Sequence, residues 1–411
     1  MAEHSSIEWT DATWNPVTGC TVMSPGCTNC YAMKLAGTRL QHHPSRAGLT
    51  VDTKAGPVWN GQVRLNEQWL DQPLRWTRPR MIFVCAHGDL FHEDVPDEWI
   101  DRVFAVMALS PQHTFQVLTK RSARMREYVN GIKSNIPFLG RMPLERIHLE
   151  AAAHMEGDGG FMDVLKERGN VYSLYLDAPW PLPNLWLGVS AEDQMRADER
   201  IPDLLATPAA IRFVSAEPLL GPIDLERVGT LDSVRMALPD VIAREDRGRP
   251  KSGAGSISGA QIDALGSAGS SLTFFQTPDH MGGFTAASPR QWPSLDWVIV
   301  GGESGKGARP MHPAWARQIR DQCDAAGVPF FFKQWGSWVS IYDRDRDDPD
   351  WRNVPKPGDW HRKRWLNLAG GQGFHGAELN MMRNVGKKAA GRLLDGIEHN
   401  GMPQIGEVPA L

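Results

Sequence analysis

From residue 81 onward one unit recurs along the chain: a short continuous apolar run, a polar or glycine-containing turn, then a helical stretch. MIFVCAH (81–87) leads into DEWIDRVFAVMALS, TFQVLTK (114–120) into RSARMREYV, and LWLGVSA (185–191) into EDQMRADERIPDLLA. IRFVSAEPL (211–219) precedes LGPIDL, DWVIVGG (296–302) leads into HPAWARQIRDQCDAA, and VPFFFKQW (328–335) closes the series. Unbroken β-branched and aromatic runs are strands buried on both faces, and their alternation with helices predicts a parallel sheet. With a further strand near ATWNPV (12–17) the count is six to seven, which predicts an α/β fold built as a full or partial (β/α) barrel. An open doubly wound sheet is the alternative, and periodicity alone does not separate the two.

Either topology puts a ligand site at the carboxyl ends of the strands. The polar residues gather there: His87-Gly88-Asp89, Thr119-Lys120, Ser190, Ala216-Glu217 and Gly301-Gly302-Glu303. The barrel is expected over residues 1–335, with insertions at about 130–184 and 228–294. The first is punctuated by Pro and Gly and holds one helix; the second contains KSGAGSISGAQIDALGSAGSS, a linker composition. Residues 336–411 form a C-terminal extension packed on the barrel, with a short helix around GKKAAGRLLDG. Sixteen Trp against five Tyr predicts a tryptophan-rich core.

No apolar run approaches the ~20 residues of a membrane span. The opening MAEHSSIEWTDATWNP lacks a basic segment followed by an apolar one, so a cytoplasmic location without membrane contact is expected. A net charge of −4 gives no global attraction to nucleic acid, which would need a local basic patch. In a reducing compartment clustered cysteines read as metal-binding or catalytic.

Three of the five cysteines, Cys20, Cys27 and Cys30, fall in GCTVMSPGCTNCYA (19–32) with the spacing C-x6-C-x2-C. Three is an odd number for disulfides. A structural zinc site would need a fourth ligand, for which His42, His43, Cys85 and His87 are candidates. An iron–sulfur cluster with one open iron needs only three thiolates. The spacing leaves zinc and iron open. The position of the loop, directly after the first strand and therefore at the ligand end of a barrel, favours the cluster.

These residues, with others in order over about 14–225, resemble the radical S-adenosylmethionine enzymes, most closely their spore-photoproduct-lyase-like branch. GCTNCYA is similar to that branch's cluster loop, with Tyr31 as the aromatic beside the last cysteine. CAHGDLFHEDVP, VLTKRSARMRE, LGVSAED and FVSAEPLLGPIDL resemble its successive strand ends. The usual cluster spacing there is C-x3-C-x2-C, and the Gly-Gly-Glu expected after the second strand occurs here only at Gly301-Gly302-Glu303. The beginning IEWTDATWNPVTGC and the ending VGKKAAGRLLDG resemble a phage-associated family of uncharacterised function.

The resemblance implies a [4Fe-4S] cluster on Cys20, Cys27 and Cys30, with S-adenosylmethionine on the fourth iron as the source of a 5′-deoxyadenosyl radical. It implies cofactor contacts from Tyr31, Gly88, Asp89, Lys120, Ser190 and Ala216, with Asp89 on the amino-acid ammonium and Lys120 on the carboxylate. Cys85 would donate a hydrogen atom, and Glu217 would act as a substrate contact or general base. A flavodoxin or ferredoxin would supply the electron, and the substrate would be a DNA or RNA base or a nucleotide.

Each residue also has a structural reading. Lys120 would open a helix in solvent, Asp89 would cap LFHED, Cys85 would be a core thiol, and Glu217 and Glu303 would bond loop backbone. Cys323 is expected to face the core from its helix. KRSARMR (120–126) and HRKRW (361–365), with Trp360 and Trp365, are candidate phosphate and base contacts. The reading from another class is a zinc- or cluster-stabilised nucleic-acid-binding or phage accessory protein without catalysis.

Overall fold

Each of the seven apolar runs becomes a strand, and each strand is hydrogen-bonded to the next one in the chain. The structure, a computed structural model, describes residues 5, 7–131, 147, 181–228, 276–278, 284–286, 294–348, 362–372 and 376–404. The strands are β1 (Ala12–Trp14), β2 (Met81–Val84), β3 (Thr114–Thr119), β4 (Leu185–Ser190), β5 (Ile211–Ala216), β6 (Trp297–Gly301) and β7 (Phe330–Gln334). They lie in the order β1-β2-β3-β4-β5-β6-β7, every pair parallel. A doubly wound sheet reverses its order at a switch point; this one never does. It curls into a half-barrel whose first and last strands do not pair.

β4 and β6 are buried along their whole length, as unbroken apolar runs require. Inside the curl, Trp297 meets the rings of Trp9, Trp186, Phe213 and Phe331 at centroid distances of 6.0, 5.9, 5.7 and 6.1 Å. Eight of the twelve described tryptophans are buried core residues. Gly188 makes room for one of these rings: a Cβ there would lie 2.5 Å from Phe213, its partner in register.

The helices follow their strands. In α1 (Tyr31–Ala36) Ala32, Met33 and Ala36 are buried. α2 (Asp97–Ala108) begins with Asp97 and Glu98, favourable to the helix dipole, and buries Ile100, Val103, Phe104 and Met107 at helical spacing. α3 (Ser122–Gly131) packs on α4 (Gln194–Leu205), whose N-cap Asp193 accepts the Arg196 N–H at 3.0 Å. α5 (Pro313–Ala326) starts with Pro313 after His312, whose Nδ1 accepts the Ala314 N–H, and ends on left-handed Gly327. Cys323 is buried on its inner face.

Beyond residue 336 the described chain forms an antiparallel sheet of β8 (Trp338–Asp343), β9 (Lys363–Leu366) and β10 (Asn380–Asn384), in the order β8-β10-β9. A helical turn covers Lys387–Ala390. The tail then returns to the half-barrel, where Trp297 Nε1 donates to the Gly401 carbonyl at 2.7 Å and the Phe332 N–H to that of His399 at 3.0 Å.

Residues Leu225–Ser294 form a second compact unit, in which a helical turn (Leu225–Val228) and an antiparallel pair (Gln276–Pro278 with Phe284–Ala286) are described. Most of the 130–184 insertion, its expected helix, the linker at 251–271 and Trp360 lie outside the described residues. No described helix is long and apolar enough to cross a membrane.

Candidate functional site

A cavity of about 600 Å³ opens at the carboxyl ends of the strands, within the ~300–1,000 Å³ of typical small-molecule sites. Cys20, Cys27, Cys30, Tyr31, Cys85, Gly88, Asp89, Lys120, Ser190 and Glu217 all line it. Ala216 does not: it is buried in β5 opposite Val300, and its side chain belongs to the sheet. His42 and His43 are exposed and away from the cavity, whereas His87 lines it with its ring edge-on to Tyr31 at 5.7 Å.

The cysteine loop grows directly out of β1. Val17–Thr18 pairs with Arg64–Leu65, and Gly19 then bridges to Gly88. A Cβ on Gly88 would stand 2.9 Å from the Val17 carbonyl, so this glycine lets the chain leading to Cys20 lie against the end of β2. Pro25–Cys27 forms a 3-10 turn, and Cys30 immediately precedes α1. Cys20 and Cys30 pack against one apolar cluster of Ala32, Met33, Ala36, Leu49 and Trp59.

Three anchors hold this loop. Arg121 Nη1 reaches Cys20 Sγ at 3.5 Å and Asp89 Oδ2 at 3.0 Å, while its Nη2 donates to Thr21 Oγ1. Glu192 Oε1 accepts the Gly26 N–H at 3.1 Å, and its Oε2 pairs at 3.1 Å with fully buried Arg200. Glu303 accepts Asn29 Nδ2 at 2.9 Å and binds Arg309, whose Nη2 donates to the Pro25 carbonyl at 2.9 Å. Arg121, Glu192, Asn29 and Arg309 have no role in the sequence reading. Arg121 was visible only as part of a basic run.

Burial, and then the Asp89 carboxylate, push the Cys20 thiol up to about 12 against the pull of Arg121. Cys27 and Cys30 raise it further, as neighbouring thiols do. Burial raises Glu192 too, but the bond to Ser24, the charges of Lys120 and Arg200 and the Gly26 N–H outweigh it and hold Glu192 below the usual carboxylate range. His87 is pushed down to about 4 by burial and then by Arg46, which leaves its ring neutral.

Residues 4–403 match a protein family described as a protein of unknown function, DUF5131. The chain belongs to the DUF5131 family. No curated protein and no solved structure matches it.

In this DUF5131 protein Asp89 is engaged on both oxygens. Oδ1 accepts Thr119 Oγ1 at 2.7 Å and the Phe91 N–H at 3.1 Å; Oδ2 accepts the Lys120 N–H at 3.2 Å and Arg121 at 3.0 Å. A carboxylate has about four acceptor positions, and protein donors take all four. Asp89 therefore organises residues 119–121 at the rim of the cavity it lines. Lys120 and Ser190 do meet over the cavity, Nζ donating to Oγ at 2.9 Å.

Cys85 is buried, with its thiol pushed up to about 12 by burial, and adopts the left-handed φ of 56° that side chains other than Gly rarely take. Glu217 pairs with Lys333 at 2.8 Å. The arginines of the basic run at 120–126 are ion-paired within the chain. Arg121 pairs with Asp89 and Glu93, Arg124 with Asp97, and Arg126 with Asp203. Residues 363–365 lie in β9, where Arg364 stacks over Trp338 at 5.7 Å.

Among the described residues no three His, Cys, Asp or Glu side chains converge on a single-ion position. The donor set is soft: three thiols line one cavity, with an apolar cluster packed against two of them and a guanidinium against the first, which fits an iron–sulfur cluster.

Proposed function

We propose that this chain is a radical S-adenosylmethionine enzyme, holding a [4Fe-4S] cluster on Cys20, Cys27 and Cys30 and S-adenosylmethionine in the cavity those thiols line. The observation that carries the reading is that the three thiols share one cavity with the carboxyl ends of the half-barrel strands. When bound, the cluster and S-adenosylmethionine together supply a 5′-deoxyadenosyl radical.

The chain's own residues have distinct tasks. Arg121 sets positive charge against Cys20, which favours a thiolate ligand. Lys120, with Ser190 beside it, offers charge-assisted donors to a carboxylate. Asp89 holds Lys120 and Arg121 in position. Glu192 and Glu303 fix the two sides of the cysteine loop. Cys85, kept protonated by burial in the lining of the same cavity, offers an S–H hydrogen atom. Glu217 serves the substrate, for which the resemblance implies a nucleobase or nucleotide.

The test is anaerobic purification with iron, sulfide and zinc analysis, then reduction in the presence of S-adenosylmethionine and assay for 5′-deoxyadenosine. About four irons and four sulfides per chain, with deoxyadenosine formed, are expected. Cys27→Ala should lose the iron and keep its circular dichroism spectrum. One zinc, no sulfide and no cleavage would sink the proposal and leave the cysteine loop a structural clasp.

A further inference from the structure

Neighbouring residues of a strand point to opposite faces, yet Lys333 and Gln334 both line the cavity and both reach Glu217. The cause is a break in register. Phe332 stands opposite Val300 and Gln334 opposite Gly301, so β7 carries one extra residue, Lys333, at a bulge. Bulges of this kind re-aim side chains and recur beside active sites. Lys333 Nζ donates to Glu217 Oε2 at 2.8 Å, and Gln334 Nε2 approaches Oε1 at 3.4 Å. Since a carboxylate only accepts, this orientation of the Gln334 amide is the one its partner demands. Its Oε1 is then sealed from solvent without a donor among the described residues, in a side chain only 5% exposed. Gly301 completes the arrangement, because a Cβ there would stand 3.1 Å from the Glu217 carboxylate.

We propose that Glu217 and Lys333, held by Gln334, form a subsite that takes a neutral ring bearing adjacent N–H and C=O groups, a cyclic amide. This rests on the enzyme reading above and names the substrate chemistry of the same cavity. The pair has no net charge, so an anion meets Glu217 and a cation meets Lys333 unfavourably. An amide edge uses both: its N–H donates to the carboxylate, and its oxygen accepts one of the two ammonium N–H groups that Lys333 does not spend on Glu217. The apolar side chains of Trp9, Phe83 and Leu118 line the same cavity and suit the faces of a ring.

The experiment is ligand titration of the anaerobically purified full chain, read by saturation-transfer NMR, with iron and sulfide measured on the same sample. The probes are uridine, N3-methyluridine and the cyclic dipeptide of glycine. Uridine should bind, methylation of its ring N–H should weaken binding about tenfold, and Lys333→Met should do the same with iron and sulfide unchanged. Binding of uridine but not of the dipeptide would place the amide in a nucleobase; binding of the dipeptide but not uridine would place it in a peptide. Equal binding of uridine and its methylated form, or no binding by either cyclic amide, would overturn the subsite. Cyclic-amide binding that persists in protein without a cluster would keep the subsite and remove the cofactor reading instead.

Discussion

The carboxylate of Glu192 and the backbone N–H of Gly26 meet at 3.1 Å, although 166 positions separate them in the chain. Gly26 has no side chain to obstruct the contact; a Cβ would stand 3.0 Å from that carboxylate. The same carboxylate neutralises Arg200, which is wholly buried and also donates to the Ser190 carbonyl at 2.7 Å.

Glu192→Ala would strip Arg200 of its counter-charge as well as freeing the loop. Removing one partner of a buried pair costs ~3–5 kcal/mol, so urea unfolding should show a loss of that size. Glu192→Gln, which keeps an acceptor for Gly26, should lose less. A loss within ~0.5 kcal/mol for Glu192→Ala, as at ordinary surface sites, would mean that neither contact matters.

Asp89→Asn tests whether this side chain acts as an organiser. One oxygen becomes an NH₂ group facing two donors, so two of four hydrogen bonds are lost and the Arg121 charge is unpaired at that point. A cost of about 1.5–3 kcal/mol is expected, measured by denaturant titration of the protein without ligand. An unchanged midpoint would mean that Asp89 is not held as described.

Lys120→Ala should weaken S-adenosylmethionine binding by tenfold or more, the equivalent of about 1.5 kcal/mol for a charge-assisted bond. Iron and sulfide content should stay the same. Equilibrium dialysis against the cofactor reads this, and an unaltered affinity would return Lys120 to a helix-opening role.

Two glycine replacements should behave oppositely. A Cβ on Gly302 would sit 2.1 Å from the Trp335 carbonyl, a backbone atom that cannot step aside, so Gly302→Ala should unfold at clearly lower urea. At Gly131, in the last turn of α3, a Cβ meets nothing within 4 Å among the described residues. Gly131→Ala should be neutral or stabilising by up to ~1 kcal/mol. Equal midpoints for the two variants would contradict the packing at β6.

The pH response should carry a contribution from His312. Burial pushes its imidazole below the ordinary value, and its Nδ1 must stay unprotonated to accept the Ala314 N–H. The unfolded chain therefore binds the proton first as pH falls. The stability His312 contributes is full above its ordinary pKa of ~6.5 and declines as pH drops from there through the lowered native value. In His312→Asn, which can cap the helix but does not titrate, the fall of Tm between about pH 6.5 and 5 should be shallower. Parallel Tm curves would exclude this residue as a source.

The half-barrel was legible because its evidence is local: an unbroken apolar run such as LWLGVS is a buried parallel strand wherever it falls. The cysteine loop was legible because thiols are rare in this chain. What surrounds it was not. Arg121 reads as one more cation in KRSARMR, and only the fold turns it inward to Cys20 while Arg124 and Arg126 pair outside. Asp89 was found by its strand-end position, but its four donors come from residues that sequence spacing does not bring together. Lys333 and Gln334 were hidden by the period of the strand itself, since alternation assigns one of them to the far face and the bulge cancels that assignment. Ala216 sits opposite Val300 in the register and is buried in the sheet.

The anchors of the cysteine loop also order events in time. Asn29 waits for Glu303, made 274 residues later, and Pro25 for Arg309, made 284 residues later. At ~5–20 residues per second of synthesis, the nascent loop spends on the order of tens of seconds without them. The thiols emerge long before the residues that orient them, so loading of the site belongs after Glu303 and Arg309 have left the ribosome.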